Sequence, residues 1–265
     1  MKERDEIAAV NRRHWEWSVR KKAGCTVPWL NLNADLLRRY ARGDLENVPD
    51  GLDEIYPAGI LTDVEGKDVL CLASGGGQQS VVFGLLGARV TVLDLTEGQL
   101  EGDRKAAAHY GFEITTLQGD MRDLSPLADE SFDLVYQGNS MAWIPDVREV
   151  YVGVARVLRP GGVYRVDFAN PATEFVEWDS WNGEAYPITV PYSEKAGQSD
   201  VEGDENCFQF RHYMVDIFNG LLDARFSIQQ VQDSPLYFKK EKTKPGSWEH
   251  WLKYVGGFAV VAKKE

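Results

Sequence analysis

The residues best suited to chemistry are a run of glycines and an aspartate that follows it. The stretch Val69–Ser80, VLCLASGGGQQS, passes from an apolar, strand-like run through three glycines into a predicted helix. Such a turn needs backbone of positive φ, and a new helix offers free N–H groups to a ligand. The next apolar run, Ala88–Leu95, carries Asp94 near its end, where a carboxylate can bind both hydroxyls of a ribose. This pattern is typical of a nucleotide-cofactor loop, although glycine clusters also make ordinary turns.

From Lys67 onward, short apolar runs alternate with helical stretches, and these elements must position the loop and the aspartate. Gly87 and Gly111 are predicted helix C-caps, and Thr96 with Gln99 predicts a capping box. Alternating strands and helices predict an α/β fold, a doubly wound, mostly parallel sheet with helices on both faces. Strands are predicted near 68–73, 89–94, 113–118, 132–137, 163–168, 226–232 and 257–262, the last a candidate for antiparallel pairing, and helices near 78–86, 97–110, 146–158 and 210–224.

Two segments fall outside this alternation. Residues 1–60 read as a helical N-terminal cap on a main domain at 61–265. Residues 171–210 lack the alternation of strand-like and helical stretches and contain nine acidic residues, one basic residue and seven aromatic residues. A long aperiodic insertion in a compact domain is usually functional or disordered, so we expect an ordered lid that ends in a mobile turn at 197–206. The lid and the cap are expected to close on binding.

The amino-acid composition limits the kinds of molecule that the protein is expected to bind. Because 41 acidic residues outnumber 29 basic ones, nucleic acid is an unlikely main partner, and a neutral or cationic small molecule fits better. Three scattered cysteines without a C-x-x-C pair indicate neither a disulfide framework nor a zinc site. The charged start and the lack of a long apolar run predict a soluble, cytoplasmic protein without a membrane partner. The oligomeric state stays open.

Further motifs follow in a characteristic order. They are Gly119-Asp120-Met121, the stretch Phe132–Trp143 and the turn Leu158-Arg-Pro-Gly-Gly162, which leads into a strand. With these, residues 65–170 or so resemble the Rossmann-like, class I S-adenosylmethionine-dependent methyltransferases. The resemblance implies S-adenosylmethionine as the cofactor and a seven-stranded sheet.

The resemblance also implies roles for single residues. The loop would pass the methionine part of the cofactor, Asp94 would hold the ribose, and Asn139 would lie beside the sulfonium. Where the family commonly has an acidic residue this chain has Cys71, so the candidates for binding the amino group are Gln79, a residue of the N-terminal cap or backbone carbonyls. The residues expected to bind the cofactor are Ala73, Ser74, Gly75, Gly76, Gly77, Gln79, Asp94, Leu95, Asp120, Met121 and Asn139.

The acceptor side is less defined. No catalytic residue is identified beyond the candidate His14, which lies with Trp15 in a helix that could cover the pocket, and a lone histidine is more often structural. The residues expected to bind the acceptor are Trp15, Trp143, Asn170 and Tyr192. Asp167 and Asn170 are reminiscent of a magnesium site, but Asn139 stands where a second carboxylate would be needed, so we expect no metal.

These observations predict methyl transfer to a small-molecule acceptor by in-line displacement under an aromatic, acidic lid. Two alternatives remain open at this point. One is an RNA or protein methyltransferase that uses basic residues of the N-terminal helix, Arg12, Arg13 and Arg20 among them. The other is a dinucleotide-dependent oxidoreductase or a non-catalytic nucleotide-binding domain with the same glycine loop.

Overall fold

A seven-stranded sheet forms the centre of the computed structural model, which describes residues 2–49, 51–198, 204, 206–238 and 242–265. Most of the predicted turn at 197–206 lies outside these residues. The strands are β1 Asp68–Leu72, β2 Arg89–Asp94, β3 Ile114–Gln118, β4 Phe132–Gln137, β5 Leu158–Ala169, β6 Ala196–Gln198, β7 Phe208–Phe210, β8 Phe226–Asp233 and β9 Gly257–Lys264. The α-helices are α1 Lys2–Lys21, α2 Ala34–Ala41, α3 Gln79–Leu85, α4 Glu97–Tyr110, α5 Val147–Val157, α6 Met214–Asp223 and α7 Trp248–Trp251.

The strand order is β3-β2-β1-β4-β5-β9-β8. Neighbours among β1 to β5 pair in parallel, whereas β9 is antiparallel to both β5 and β8. This confirms the predicted α/β class and the antiparallel last strand. The order reverses between β2 and β4 on either side of β1, and ligands of such sheets bind at the carboxyl ends of the strands beside that point.

The core lies on both faces of the sheet. Leu70 and Leu72 of β1 pack with α5 on one face, and Val69 and Cys71 pack with α2 and α3 on the other. All four side chains are fully buried. Parallel strands covered on both faces read as continuous apolar runs, which explains why β1 is conspicuous in the sequence.

Three local predictions need correction. Thr96 does precede α4, but its side chain makes no capping bond; its hydroxyl donates to Asp94 Oδ1 at 2.8 Å instead. The predicted helix at 210–224 begins only at Met214, because 208–210 forms β7. The strand predicted near 163 starts at Leu158, with a register shift that absorbs the Pro-Gly-Gly turn.

The N-terminal segment lies over the carboxyl end of the sheet. α1 packs on α4 and β7, and the Gly98 N–H donates to Glu16 Oε1 at 3.4 Å. The side-chain amide of Asn11 donates to the carbonyls of Trp143 and Phe208 at 3.0 and 3.2 Å and accepts the Phe208 N–H at 2.7 Å. One buried side chain thus joins α1, the segment after β4 and β7.

Residues 171–195 form turns and irregular backbone before β6 pairs with β7. Two aromatic rings of this segment pack on the chain near α7. Trp181, for example, lies 4.9 Å from Tyr186 and 4.7 Å from His250 between ring centroids. Within the described part of the chain, no helix is both long and apolar enough to cross a membrane.

Candidate active site

A deep cleft opens at the carboxyl ends of β1, β2 and β4, and it encloses about 1010 Å³ of space, including its mouth. The ends of these strands and the loops that follow them form its floor. α1 adds Ala8, Asn11 and Trp15, the turn after α1 adds Cys25, and the short helix Leu52–Glu54 adds Glu54. Concave sites that combine apolar walls with a few polar groups are the usual binding places of small molecules and cofactors.

Two aspartates accept hydrogen bonds from the backbone of the glycine loop. The Gly75 N–H donates to Asp94 Oδ2 at 3.0 Å, and the Gly76 and Gly77 N–H groups donate to Asp103 at 3.1 and 3.0 Å. A Cβ on Gly77 would lie 2.6 Å from the carbonyl oxygen of Gly102 on α4. Gly77 is therefore required by the close approach of α4, and Gly76 and Gly77 do not line the cleft, whereas Ala73, Ser74 and Gly75 do.

Asp103 was missed in the sequence because nothing marks it among the residues of α4. It is fully buried and also accepts a hydrogen bond from the Ser80 hydroxyl. Burial raises the pKa of Asp103 to about 7, and the hydrogen bonds from Ser80 and Gly76 oppose that rise. The carboxylate connects the loop, the start of α3 and α4.

Asp94 lies at the end of β2 and lines the cleft, with 8% of its surface exposed. Besides Gly75, it binds the backbone N–H of Thr96 at 3.0 Å through Oδ1. Burial raises its pKa, and the hydrogen bonds from Thr96 and Gly75 act in the opposite direction. The Thr96 hydroxyl and the Leu95 N–H also donate to Asp94, so donors of the chain already use its roughly four acceptor sites, and a ligand hydroxyl has to share or displace one of them.

Two glutamines bring unpaired oxygens to the cleft. Gln79 Oε1 and Gln99 Oε1 are buried, and neither receives a hydrogen bond from the residues that the structure describes. Cys71, by contrast, belongs to the core behind the sheet. A buried acceptor without a donor costs free energy, which a ligand donor at this place would recover. The donors of S-adenosylmethionine, its ammonium and its ribose hydroxyls, therefore fit the acceptors that the chain presents.

Another wall is formed by the residue after β2 and by residues after β3. Leu95, Asp120 and Met121 line the cleft, as predicted. Arg122, which the sequence did not point to, lies beside them. Arg122 Nε donates to both oxygens of Asp120 at 3.0 Å. This pairing fixes the orientation of the Asp120 carboxylate.

Asn139, predicted beside the sulfonium, and Trp15 and Trp143, predicted to bind the acceptor, all line the cleft, and we call this part of it the acceptor end. Asn139 follows β4 with φ +38°, and Trp15 and Trp143 lie with their ring centroids 5.1 Å apart. His14 stacks on Trp143 at 5.6 Å but does not line the cleft. Asn170 and Tyr192 lie outside it as well; Tyr192 is half exposed and packs against Tyr213.

A buried charge pair supports this end of the site. Arg165 has no exposed surface, lies between the rings of Tyr56 and Tyr136 at 4.6 and 4.5 Å, and pairs with Asp167 at 2.6 Å. Asp167 also receives hydrogen bonds from the Tyr56 hydroxyl and the Asn139 N–H. Burial raises the pKa of Asp167, and Arg165 opposes the rise. In the described ranges, no group of three or more His, Cys, Asp or Glu side chains could hold a metal ion.

The fold and the cleft are those of the Rossmann-like, S-adenosylmethionine-dependent methyltransferases, and the chain belongs to this family. Residues 70–166 match the methyltransferase domain family. The chain is 34% identical to the uncharacterized methyltransferase YbaJ of Bacillus subtilis over 230 residues, 84% of this chain and 88% of that protein. It is 30% identical to the sterol 24-C-methyltransferase ERG6B of Gibberella zeae, over 62% of this chain and 46% of that protein.

A solved structure shares the fold. The putative S-adenosylmethionine-dependent methyltransferase of Listeria monocytogenes aligns with a TM-score of 0.65 at 17% identity, covering 82% of this chain and all of that one. The protein is therefore a methyltransferase with S-adenosylmethionine as its cofactor. Family membership decides against the oxidoreductase and the non-catalytic binding domain, which the glycine run alone left open.

Proposed function

We propose that the protein transfers the methyl group of S-adenosylmethionine to a small, neutral or cationic molecule bound beneath α1. The observation that carries this proposal is the position of α1, whose Ala8, Asn11 and Trp15 line the cleft from above. Asn11 connects this cover to Trp143 and Phe208. An acceptor has to fit under that cover, and this favours a small molecule over a folded macromolecule.

Each wall of the cleft has a proposed part in binding the cofactor. Asp94 accepts the ribose hydroxyls, Leu95 covers one face of the adenine, and Asp120 with the Met121 backbone binds the adenine edge. Gln79 Oε1, which lacks a donor within the described residues, accepts from the ammonium of the methionine part in place of the acidic residue absent at Cys71. When bound, the cofactor supplies a methyl group already activated by its sulfonium.

With such a donor, the chain mainly has to orient the acceptor and keep water out. Trp15, Trp143 and Ile144 give this end of the cleft an apolar wall, while Asn139 lies next to it. The hydrogen bond from the Asn11 side chain to the Trp143 carbonyl holds this wall in place. The aromatic side chains of the predicted lid at 171–210 pack elsewhere, so the apolar cover comes from α1 and the segment after β4.

The charge of the cleft also favours a neutral or cationic acceptor. Glu54 and Asp94 line the cleft besides the ion-paired Asp120 and Asp167, and the chain has a formal net charge of −12. Carboxylates attract cations and repel phosphates, which disfavours RNA as the acceptor. The related enzyme of Gibberella zeae is named for a sterol, also a small molecule.

The proposal is tested with S-adenosylmethionine labelled in the methyl group and a cell extract divided by ultrafiltration. We expect label in the small-molecule fraction, with little dependence on salt. Label in RNA or protein, at a rate that falls steeply with salt, would support the alternative of a macromolecular acceptor bound by the exposed residues Arg12 and Arg13. The Asp94→Asn variant is the control for label that does not come from this site.

A further inference from the structure

A second, smaller recess adjoins the cleft on the side away from the glycine loop. Asn139 and Asp167 line both cavities, so the recess continues the cleft past the predicted position of the methyl group. Its walls are apolar at Ala142, Phe168 and Ala169. Two polar side chains complete it, Glu174 and His212.

His212 is buried and presents a hydrogen-bond acceptor. Its ring is 6% exposed, and Nε2 lies 2.8 Å from the carbonyl oxygen of Met141. Because a carbonyl only accepts, Nε2 carries the proton and Nδ1 keeps a lone pair. Burial lowers the pKa of His212, which favours this neutral form. No donor in the described part of the chain binds Nδ1.

Glu174 is a second acceptor without a donor. It is half-buried, and the described residues offer it neither a hydrogen bond nor an ion pair. The cation that acts on it most is Arg211, but that guanidinium lies over the rings of Phe175 and Tyr192 and donates to the carbonyls of Pro191 and Glu194. Burial raises the pKa of Glu174 to about 7.

Asp167 differs from these two residues because its charge is already balanced. Arg165 pairs with it at 2.6 Å, and the Tyr56 hydroxyl and the Asn139 N–H occupy further acceptor sites. Asp167 thus forms a fixed wall between the cleft and the recess. The unmatched acceptors of the recess are Glu174 and His212 Nδ1.

We propose that this recess binds an amino group of the acceptor, in its ammonium form, through Glu174 and His212. An ammonium has N–H donors for both acceptors, and its positive charge pairs with the half-buried carboxylate of Glu174. The apolar walls suit the carbon atoms next to the nitrogen. A phosphate or carboxylate would face the like charge of Glu174 and the lone pair of His212 Nδ1, which disfavours an anion here. This inference rests on the proposed function, because it assigns the substrate class of the same site.

The test uses a binding readout that needs no turnover. The chain holds four histidines, so the nitrogen signals of their rings are few in an NMR spectrum of labelled protein. The probe is ethylammonium chloride, with ethanol and sodium propionate as matched neutral and anionic compounds. Each is added to the protein with and without S-adenosylhomocysteine. Glu174→Gln is compared with Glu184→Gln, a charge change at an exposed position of the same segment.

We expect ethylammonium to move the Nδ1 signal of His212 saturably, with ethanol and propionate leaving it in place. Glu174→Gln should weaken this binding about tenfold, and Glu184→Gln should not change it. No saturable shift, an equal shift with ethanol or propionate, or unchanged binding in Glu174→Gln would each overturn the inference. If calorimetry shows that S-adenosylhomocysteine does not bind, the proposed function fails instead, and the titration without it still reports on the recess.

Discussion

Asp103 accepts a hydrogen bond from the backbone N–H of Gly77 at 3.0 Å, across the interface between the glycine loop and α4. The two halves of the loop therefore have different surroundings. Gly75 and Ser74 line the cleft, whereas Gly76 and Gly77 turn their N–H groups toward a buried carboxylate. The shape of the cofactor site therefore depends on a residue that does not line it.

Replacing Asp103 with asparagine should disturb this loop. An amide nitrogen cannot accept, so at least one of the hydrogen bonds from Gly76, Gly77 and Ser80 is lost. We expect the free energy of unfolding to fall by about 1–3 kcal/mol and S-adenosylhomocysteine to bind more weakly. Urea denaturation and calorimetry measure the two effects. Glu101→Gln, at an exposed position of α4, is the control; equal effects in both variants would contradict the prediction.

Gln79 should matter for one part of the cofactor only. If its Oε1 accepts from the ammonium, Gln79→Leu weakens S-adenosylhomocysteine about tenfold and leaves 5′-methylthioadenosine, which lacks the amino acid part, unchanged. Calorimetry with both ligands checks this. Gln229→Leu, on the exposed face of β8, serves as the control. Equal weakening of both ligands would show that Gln79 acts through the loop.

Removing one partner of the Arg165–Asp167 ion pair should strongly lower the free energy of unfolding. Arg165→Met leaves a buried carboxylate without its partner and removes the guanidinium from between Tyr56 and Tyr136. We expect the free energy of unfolding to fall by about 3–5 kcal/mol. Arg148→Met breaks the exposed pair with Asp223, which solvent screens, and should lower the free energy of unfolding far less. Similar losses in the two variants would refute this account of the buried pair.

The stability of the protein should depend on pH through Glu174. Burial raises its pKa in the folded state to about 7 from 4.5, so the folded protein binds the proton more tightly than the unfolded chain. The free energy of unfolding due to this group therefore falls as pH rises from about 4.5 to about 7. Glu174→Gln should raise the Tm above pH 7 and have little effect below pH 4.5, as thermal melts across pH can show. A Tm difference that does not vary with pH, or that Glu184→Gln reproduces, would contradict this.

The sequence predicts the sheet well for a physical reason. β1 and β2 are fully or largely buried between two layers, so they appear as apolar runs that end at turns. Asp94 could be recognised because its place at the end of such a run is itself a local pattern. The spatial order of the strands and the antiparallel pairing of β9 depend on the fold as a whole.

The remainder of the site could not be found because its parts are distant in the chain. Asn11 and Glu54 reach the cleft from the N-terminal segment, and Asp103 meets Gly77 across 26 positions. Gln99 was assigned to a capping box, since local spacing suggested a local partner, yet its side chain faces the cleft. Glu174 and His212 come together only where the segment after β5 meets the start of α6.

The central claim is that Asp94 helps to hold S-adenosylmethionine, and calorimetry of the wild type and Asp94→Asn with S-adenosylmethionine and NAD tests it most directly. A neutral amide accepts hydrogen bonds less well than a carboxylate, so the variant should bind S-adenosylmethionine about 10 to 100 times more weakly. We expect the wild type to bind S-adenosylmethionine and not NAD. Equal affinity of both proteins for S-adenosylmethionine, or preferential binding of NAD, would contradict the account.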